Sequence, residues 1–474
     1  MPLPENTLDP SDDLSLPQAI PKRRWRPLAT RLHFYAGVLV APLLVVAAVT
    51  GALYALAPTV EKWFYRDVLT VDSGDVALPL DQQITAARSA FPDLDATGLR
   101  PPATATESTR VYFADPGLAE DMLRAVFVDP YTGQVLGDLP TWFGYLPVST
   151  WLDGLHRHLN LGEPGRIYSE TAASWLWVIA LGGLFLWLAK ASDDRRRGRT
   201  ARILTVDRGG RGRSRTLNWH GVTGVWLLAG LLFLSATGIT WSTYAGAHVS
   251  DIRTALNWQR PQLDSTLPTT DGHSGHGGHQ AGGPVPAPTP IDYDAALDAA
   301  AGAGVHLPVE VSVPADHGQG ITVTEIDKPY RLTTNSAVVD PGSNAVTARI
   351  DYWRDYALVA KLADWGIRAH MGMLFGLLNR LLLLGVAVGL LTVIVRGYRM
   401  WWQRRPTRGS AWAVGRPPLR AGLRSLPLPA MCAVIVTAVA VGWFLPTLGL
   451  TLAAFIAVDT VIGTAKRRKA EHHV

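Results

Sequence analysis

Leu32-His33-Phe34-Tyr35-Ala36-Gly37 opens the first long apolar run of the chain, and Trp219-His220-Gly221-Val222-Thr223-Gly224 opens another. His33 falls on His220 under a shift of 187 residues, and the same shift takes Gly37 to Gly224, Thr50 to Thr237, Gly51 to Gly238 and Tyr54 to Trp241. A second shift, of 214, takes His156 to His370, Gly162 to Gly376, Arg166 to Arg380, Gly183 to Gly397 and Trp187 to Trp401. Two hydrophobic segments per half carry these marks, so the chain reads as a duplicated membrane unit. Ionisable residues inside a bilayer or at its edge cost free energy and raise a functional question. Histidines that recur in register in both halves are candidates to clamp a metal centre between them.

The composition agrees with a membrane protein. Of 474 residues, 48% are hydrophobic and 17 are Trp, too apolar and too long for one soluble core. Six segments are expected to enter a bilayer, at about 34–57, 172–189, 219–244, 374–395, 430–445 and 447–464; a spanning helix needs about 20 mostly apolar residues. Basic residues crowd particular span ends. Lys22, Arg23, Arg24, Arg26 and Arg31 precede the first, an arginine-rich stretch from Arg195 to Arg215 joins the second and third, Arg396 to Arg405 follow the fourth, and Lys466 to Lys469 follow the sixth. Basic loops stay in the cytoplasm, which places both termini inside and the loops at 58–171 and 246–365 outside. The net charge of +5 reflects this topology and gives no nucleic-acid footprint. The lone Cys432 excludes an intrachain disulfide, a thiolate-held iron–sulfur cluster and covalent Cys-x-x-Cys-His haem. The first apolar run, basic-flanked and ending Ala55-Leu56-Ala57, is too long for a cleaved signal, and its counterpart at Trp219 is internal.

The expected division is a polar, disordered N-terminus (1–27), a first span (28–57), a first outer module (58–171), a second span (172–190), a basic loop (191–217) and a third span (218–245). A second outer module (246–365), a fourth span (366–402), a linker (403–429), a helical hairpin turned at Pro446 (430–465) and a tail (466–474) complete it. Each outer loop carries an amphipathic helix pattern followed by strands. The first helix starts at Leu80, strands are expected at 109–113 and 123–129, and Asp129-Pro130-Tyr131-Thr132-Gly133 supplies a hairpin turn. A shift of 211 brings the first helix pattern onto Ile291-Asp292-Tyr293-Asp294 and the turn onto Asp340-Pro341-Gly342-Ser343-Asn344. Residues 264–290, rich in Pro, Gly, Thr and His, read as a flexible linker.

These marks together resemble the PepSY-associated transmembrane family: Leu32-His33 before Gly37, the Asp129 hairpin, Leu155-His156-Arg157-His158-Leu159, Asn218-Trp219-His220 and His370-Met371-Gly372. The resemblance runs over about 25–402; the second hairpin departs from it by lacking Thr-Gly, and the terminal helical hairpin lies outside it. It implies a mainly α membrane protein of the bacterial inner membrane, multi-pass with both termini cytoplasmic. The expected architecture is an internally duplicated four-helix core with two extracytoplasmic α+β PepSY modules and a C-terminal transmembrane hairpin. The chain is similar to members studied as ferric-siderophore reductases, and that resemblance implies b-type haems between the helices.

The residues were weighed against that chemistry. His33 and His220 stand at the inner ends of the first and third spans, with Gly37 and Gly224 one helical turn on, on the same face. Small residues beside a ligand make room for a flat porphyrin, and two facing imidazoles give a six-coordinate centre suited to electron transfer. A span-end histidine also suits a headgroup or a carbonyl, and glycine suits helix packing; the shared register favours haem. His156 and His370 form the corresponding outer pair, with His158 as competing ligand, although its repeat partner is Gly372. Arg166 and Arg380 suit haem propionates or, equally, snorkelling to the interface. A helix that crosses the bilayer is ~30 Å long, so the pairs cannot share one metal; one or two bis-histidine b haems are expected. His273, His276 and His279 in the linker form a weak metal site or a passive solvated loop.

No nucleophile triad, zinc-protease helix or dinucleotide-binding loop is present in the sequence. The leading expectation is a haem-b oxidoreductase passing electrons outward to a ferric siderophore or another ferric complex, fed by a quinol or a separate reductase. Its rivals are a non-enzymatic PepSY binding or regulatory membrane protein, and a copper- or metal-handling protein centred on the linker histidines.

Overall fold

A computed structural model describes residues 25–267, 291–316, 318–405, 418 and 426–471. The linker histidines His273, His276 and His279 lie outside the described residues. The chain opens with α1 (Trp25–Leu39), α2 (Ala41–Phe64) and the short α3 (Arg66–Leu69). Then come α4 (Leu80–Ala90), β1 (Asp95–Arg100), β2 (Thr109–Ala114), β3 (Met122–Val128), β4 (Val135–Trp142), α5 (Pro147–His158) and α6 (Glu163–Arg196). The second half runs through α7 (Gly212–Thr240), α8 (Tyr244–Ala255), α9 (Tyr293–Gly302), β5 (Val309–Ser312), β6 (Ile321–Glu325), β7 (Ser336–Val339) and β8 (Val346–Ile350). It continues with α10 (Tyr352–Asp355), α11 (Leu358–His370) and α12 (Gly376–Trp402), and α13 (Leu428–Phe444) and α14 (Pro446–Glu471) end the described chain.

Among the described residues, five helices are long and apolar enough to cross a membrane: α2, α6, α7, α12 and the Pro446–Ala465 part of α14. The sixth apolar segment, α13, has 17 residues, about 25 Å of helix, at the short limit for spanning. The fold is thus that of a mostly helical, multi-pass membrane protein.

α1 and α2 read as one helix with a break at Val40. Pro42 has no N–H to give to the Val38 carbonyl, the usual cause of such a break. The Tyr398 hydroxyl, from α12, donates to that carbonyl instead at 2.8 Å, so the proline ties the first span to the fourth. The joints α5–α6 and α11–α12 turn on glycines at positive φ, Gly162 at 65° and Gly376 at 56°. L side chains rarely adopt this conformation, which accounts for that register match without a ligand.

The outer strands do not form two separate sheets. They join into one eight-stranded antiparallel sheet, ordered β4-β3-β2-β1-β5-β6-β7-β8, with Leu99 opposite Val311 at the junction. Alternate side chains leave opposite faces. Val111 and Phe113 of β2, with Val126 and Val128 of β3, pack against α4 and α9. Tyr112, Ala125 and Phe127 point the other way and pack with Leu146, ahead of α5. The carboxylate of Asp294 on α9 accepts the Leu80 N–H at the start of α4, 2.9 Å away, which links the two helices.

The hairpin that lacks Thr-Gly keeps its turn. Asp129 N–H donates to the Gln134 carbonyl and Asp340 N–H to the Ala345 carbonyl, both at 2.9 Å. Gly133 takes φ 75° in the first turn, and Asn344 takes φ 54° at the matching place in the second. Asn is among the few side chains that tolerate this region. Asn344→Val is expected to destabilise the fold by about 1–2 kcal/mol, the cost of a β-branched residue there. Asn344→Gly should be neutral or stabilising, and thermal unfolding of the purified variants checks both.

The terminal hairpin is packed into the bundle. Trp175 Nε1 donates to Thr451 Oγ1 at 2.9 Å, Arg31 pairs with Asp459, and Leu445 and Leu448 join the core of the spanning helices.

Candidate functional site

The histidines that the two shifts relate come together as two pairs. The rings of His33 and His220 have centroids 6.3 Å apart, and those of His156 and His370 also stand at 6.3 Å. On the helices that carry them, seventeen residues separate His33 from Thr50, which touches His156, and His220 from Thr237, which touches His370. That is about 25 Å of helix, so the pairs lie at different depths.

Each ring is held by one nitrogen. His33 Nδ1 lies 3.0 Å from the Ile179 carbonyl and His220 Nδ1 lies 2.9 Å from the Val393 carbonyl. A carbonyl only accepts, so each Nδ1 carries the proton and each Nε2 keeps its lone pair. The outer pair meets threonines. Thr50 Oγ1 donates to the Val46 carbonyl and Thr237 Oγ1 to the Phe233 carbonyl, both at 2.8 Å. Their lone pairs face His156 Nδ1 at 2.9 Å and His370 Nδ1 at 2.5 Å. In the inner pair the carbonyl acceptors set the tautomer that leaves Nε2 its lone pair; in the outer pair the threonine geometry is compatible with the same tautomer, and the Ala47 carbonyl is a further partner of the His156 ring. The acceptors follow the shifts as well: Ile179 maps to Val393 by 214 and Thr50 to Thr237 by 187.

Glycines shape the space. Gly183 lies against His33, where an added Cβ would come within 3.0 Å of the ring, and Gly51 lies against His156, where it would come within 3.1 Å. Gly37 and Gly224 instead border open space, with nothing within 4 Å of an added Cβ. Both line a cavity of about 430 Å³ that holds His33 and His220. Arg26, Lys190, Arg213 and Arg404 stand on its wall; Arg26 pairs with Asp193, and Lys190 with Asp194 at 2.5 Å. Beyond the end of α12, burial and the Arg213 charge both push the Arg404 pKa down from its ordinary value. A second cavity, of about 180 Å³, holds His156, His370, Gly51 and Gly238, with Arg166, Arg157, Asp153 and Glu170 on its wall. The Trp241 ring lies 6.1 Å from that of His370.

Not every candidate from the sequence reaches a cavity. Arg166 lines the outer one, but Arg380 lines neither: its Cγ packs against Gly372, at the turn after α11. His158 lines neither cavity. It ends α5 with its carbonyl pressed on Gly165, where an added Cβ would lie 1.8 Å away, and its Nδ1 is buried without a partner. The left-handed turn that follows, at Leu159 and Asn160, sets this position apart from His156.

The outer histidines sit near the ends of anchored helices. Glu61 accepts the Ser149 N–H at the start of α5, 2.6 Å away. On α11, Arg368 is 3% exposed and Asp364 is 1% exposed. Arg368 donates to Asp327 at 2.7 Å and to the Arg331 carbonyl at 2.6 Å, while Asp364 pairs with Arg260 and accepts from the Tyr352 hydroxyl at 3.2 Å. This network binds α11 to the β6–β7 loop, to α10 and to the segment after α8, two residues before His370. The sequence reading missed it, and missed the carbonyl acceptors of the inner pair.

In chemical terms each pair can grip one metal ion. Among the described residues no group of three or more His, Cys, Asp or Glu is placed to hold a metal ion. The pairs therefore offer two protein donors each and no closed tetrahedral cage.

No curated protein matches the chain. The family described as the PepSY-associated TM region matches residues 30–404, well over half of the chain and all of the elements that carry the paired histidines. The chain belongs to the PepSY-associated transmembrane family.

Proposed function

We propose that this protein is a haem-b oxidoreductase that carries electrons across the bacterial inner membrane to a ferric complex such as a ferric siderophore. The observation that carries the proposal is the paired imidazoles: two rings per cavity with centroids 6.3 Å apart, each with Nδ1 against a backbone carbonyl or a threonine hydroxyl. Two imidazole donors per cavity suit a haem, which when bound would supply reversible one-electron chemistry at iron.

The inner chamber fits that group. Its volume of about 430 Å³ lies within the ≈ 300–1,000 Å³ of small-molecule sites. Gly37 and Gly224 leave open the space that side chains would fill, and arginine forks at its wall suit propionate carboxylates. The outer chamber, at about 180 Å³, is narrower and would need its walls to part. His33 and His220 would hold and orient the inner group, His156 and His370 the outer one, and hydrogen bonds at Nδ1 would keep the imidazoles directed.

Basic flanks support a topology with both termini in the cytoplasm and the sheet outside. The two halves, matched by the shifts of 187 and 214, are read as a duplication, and the two four-strand units as PepSY modules. One electron reduces Fe(III) in the outer complex to Fe(II), and no chelator bond is cut. A quinol donor would give up two electrons and release two protons on oxidation; a separate reductase would supply electrons singly.

The test is an absorption spectrum of detergent-purified protein, oxidised and dithionite-reduced, with haem counted per chain. Sharp low-spin bands with at least one haem per chain are expected. Colourless protein from haem-replete cells would sink the reading and leave a membrane-anchored binding module. If the threonine hydroxyls orient the outer ligands, Thr50→Val and Thr237→Val should each weaken outer haem retention by about 10–100-fold, the usual cost of losing such a partner. Retention is read from haem loss to an apo-haem scavenger, and equal rates in variant and wild type would remove the role.

A further inference from the structure

A single layer of side chains separates the two chambers. Leu44, Leu176, Leu231 and Leu390 line both of them. They come one each from α2, α6, α7 and α12, and all four are buried. The shift of 187 takes Leu44 to Leu231, and the shift of 214 takes Leu176 to Leu390, so the layer follows the register of the histidine pairs. On one side of it the chamber wall carries Arg26, Lys190, Arg213 and Arg404; on the other it carries Asp153, Arg157, Arg166 and Glu170. The layer itself has no side-chain group that donates or accepts a hydrogen bond.

Protons and electrons meet this layer differently. A proton advances along hydrogen-bonded groups or waters, and four leucines supply neither. Apolar constrictions shed water, and apolar cavities stay dry. An electron needs no such chain and crosses one side-chain thickness by tunnelling. We propose that Leu44, Leu176, Leu231 and Leu390 form a partition that blocks protons and water between the two chambers while leaving them close enough for electron transfer. The electron half of this inference rests on the haem reading; the barrier half does not. Without the barrier, the ionisable groups of the two chambers would face each other across a wettable gap, and the membrane's proton gradient would drain through the bundle.

The experiment uses the full chain in liposomes that enclose a pH-sensitive dye, with proton entry driven by a valinomycin-clamped potassium potential. Wild type and the apolar, similar-volume Leu231→Met should leak no faster than protein-free liposomes. Leu231→Asn, polar and nearly the same size, should raise the leak about tenfold or more by wetting the layer. Leu390→Asn, from the other register pair, should do the same, and Leu44→Thr is a milder version if an asparagine variant fails to fold. Gel filtration and thermal unfolding in detergent identify the folded variants. A folded asparagine or threonine variant as tight as wild type would overturn the partition, as would a leaky wild type. No haem and no acceptor enter this assay. A colourless but tight protein with leaky polar variants would therefore overturn only the haem reading, whereas a haem-loaded protein whose polar variants stay tight would overturn only the partition.

Discussion

His220→Ala is expected to abolish the haem binding proposed for the inner chamber and to leave the rest of the protein folded. On that proposal the ring would supply one of two imidazole donors, so the loss in affinity should exceed the about 10–100-fold caused by removing a mere hydrogen-bond partner of a ligand. Gly224→Leu should give the same spectral loss with both histidines intact. Gly224 borders open space in the inner chamber, and a leucine there occupies the room a planar group needs. The two variants separate ligand from space. The measurement is haem per chain together with the reduced-minus-oxidised spectrum, on protein that elutes as wild type in detergent. Unchanged haem in either folded variant would dismiss the inner chamber as the site. Outer-pair absorbance, where present, should survive both changes, because the pairs lie about 25 Å apart along the helices.

Arg368→Ala is expected to be among the most destabilising single changes in the chain. Arg368 and Asp364 are almost fully buried, and the arginine also reaches Asp327 and the Arg331 carbonyl. Arg368 also pairs with Asp364 at 3.4 Å; its loss leaves buried Asp364 with Arg260 alone and takes the fork from Asp327 and the Arg331 carbonyl, toward the lower end of the about 3–5 kcal/mol that breaking a buried pair costs. Asp364→Ala should cost a similar amount by stranding the Arg260 contact and the Tyr352 hydroxyl. Arg368→Lys keeps the charge but loses the fork, and should fall between alanine and wild type. Thermal unfolding checks the series; a change under about 1 kcal/mol would mean that the network does not fix α11. Because the network lies two residues before His370, the folded fraction of Arg368→Ala should also lose outer haem faster, an effect that a remote change of equal stability cost would not give.

Much of the architecture can be read from the residues because the same marks occur in both halves. The shifts that align His33 with His220 and His156 with His370 single out the two pairs that stand at 6.3 Å. They also mark Thr50 and Thr237, whose use as imidazole acceptors becomes clear only when the helices are assembled. Apolar length marks the spans, and the Asp-Pro turns mark the hairpins, including the one where Asn344 stands in for glycine. These are local properties: hydropathy, turn conformation and spacing act within a few residues or recur at fixed intervals, so a linear string records them.

Tertiary structure decided what depends on meeting a distant partner. β1 and β5 show the same side-chain alternation whether their edges are free or paired, so their union into one eight-stranded sheet has no sequence signature. The Ile179 and Val393 carbonyls that orient the inner histidines belong to the backbone, which every residue shares. Arg166 and Arg380 look equivalent in the string, yet only Arg166 reaches a chamber. The leucine layer is invisible among so many apolar residues, because what distinguishes those four is the space on both sides of them. A sequence states what each residue prefers; only the packed helices determine which of those preferences meet.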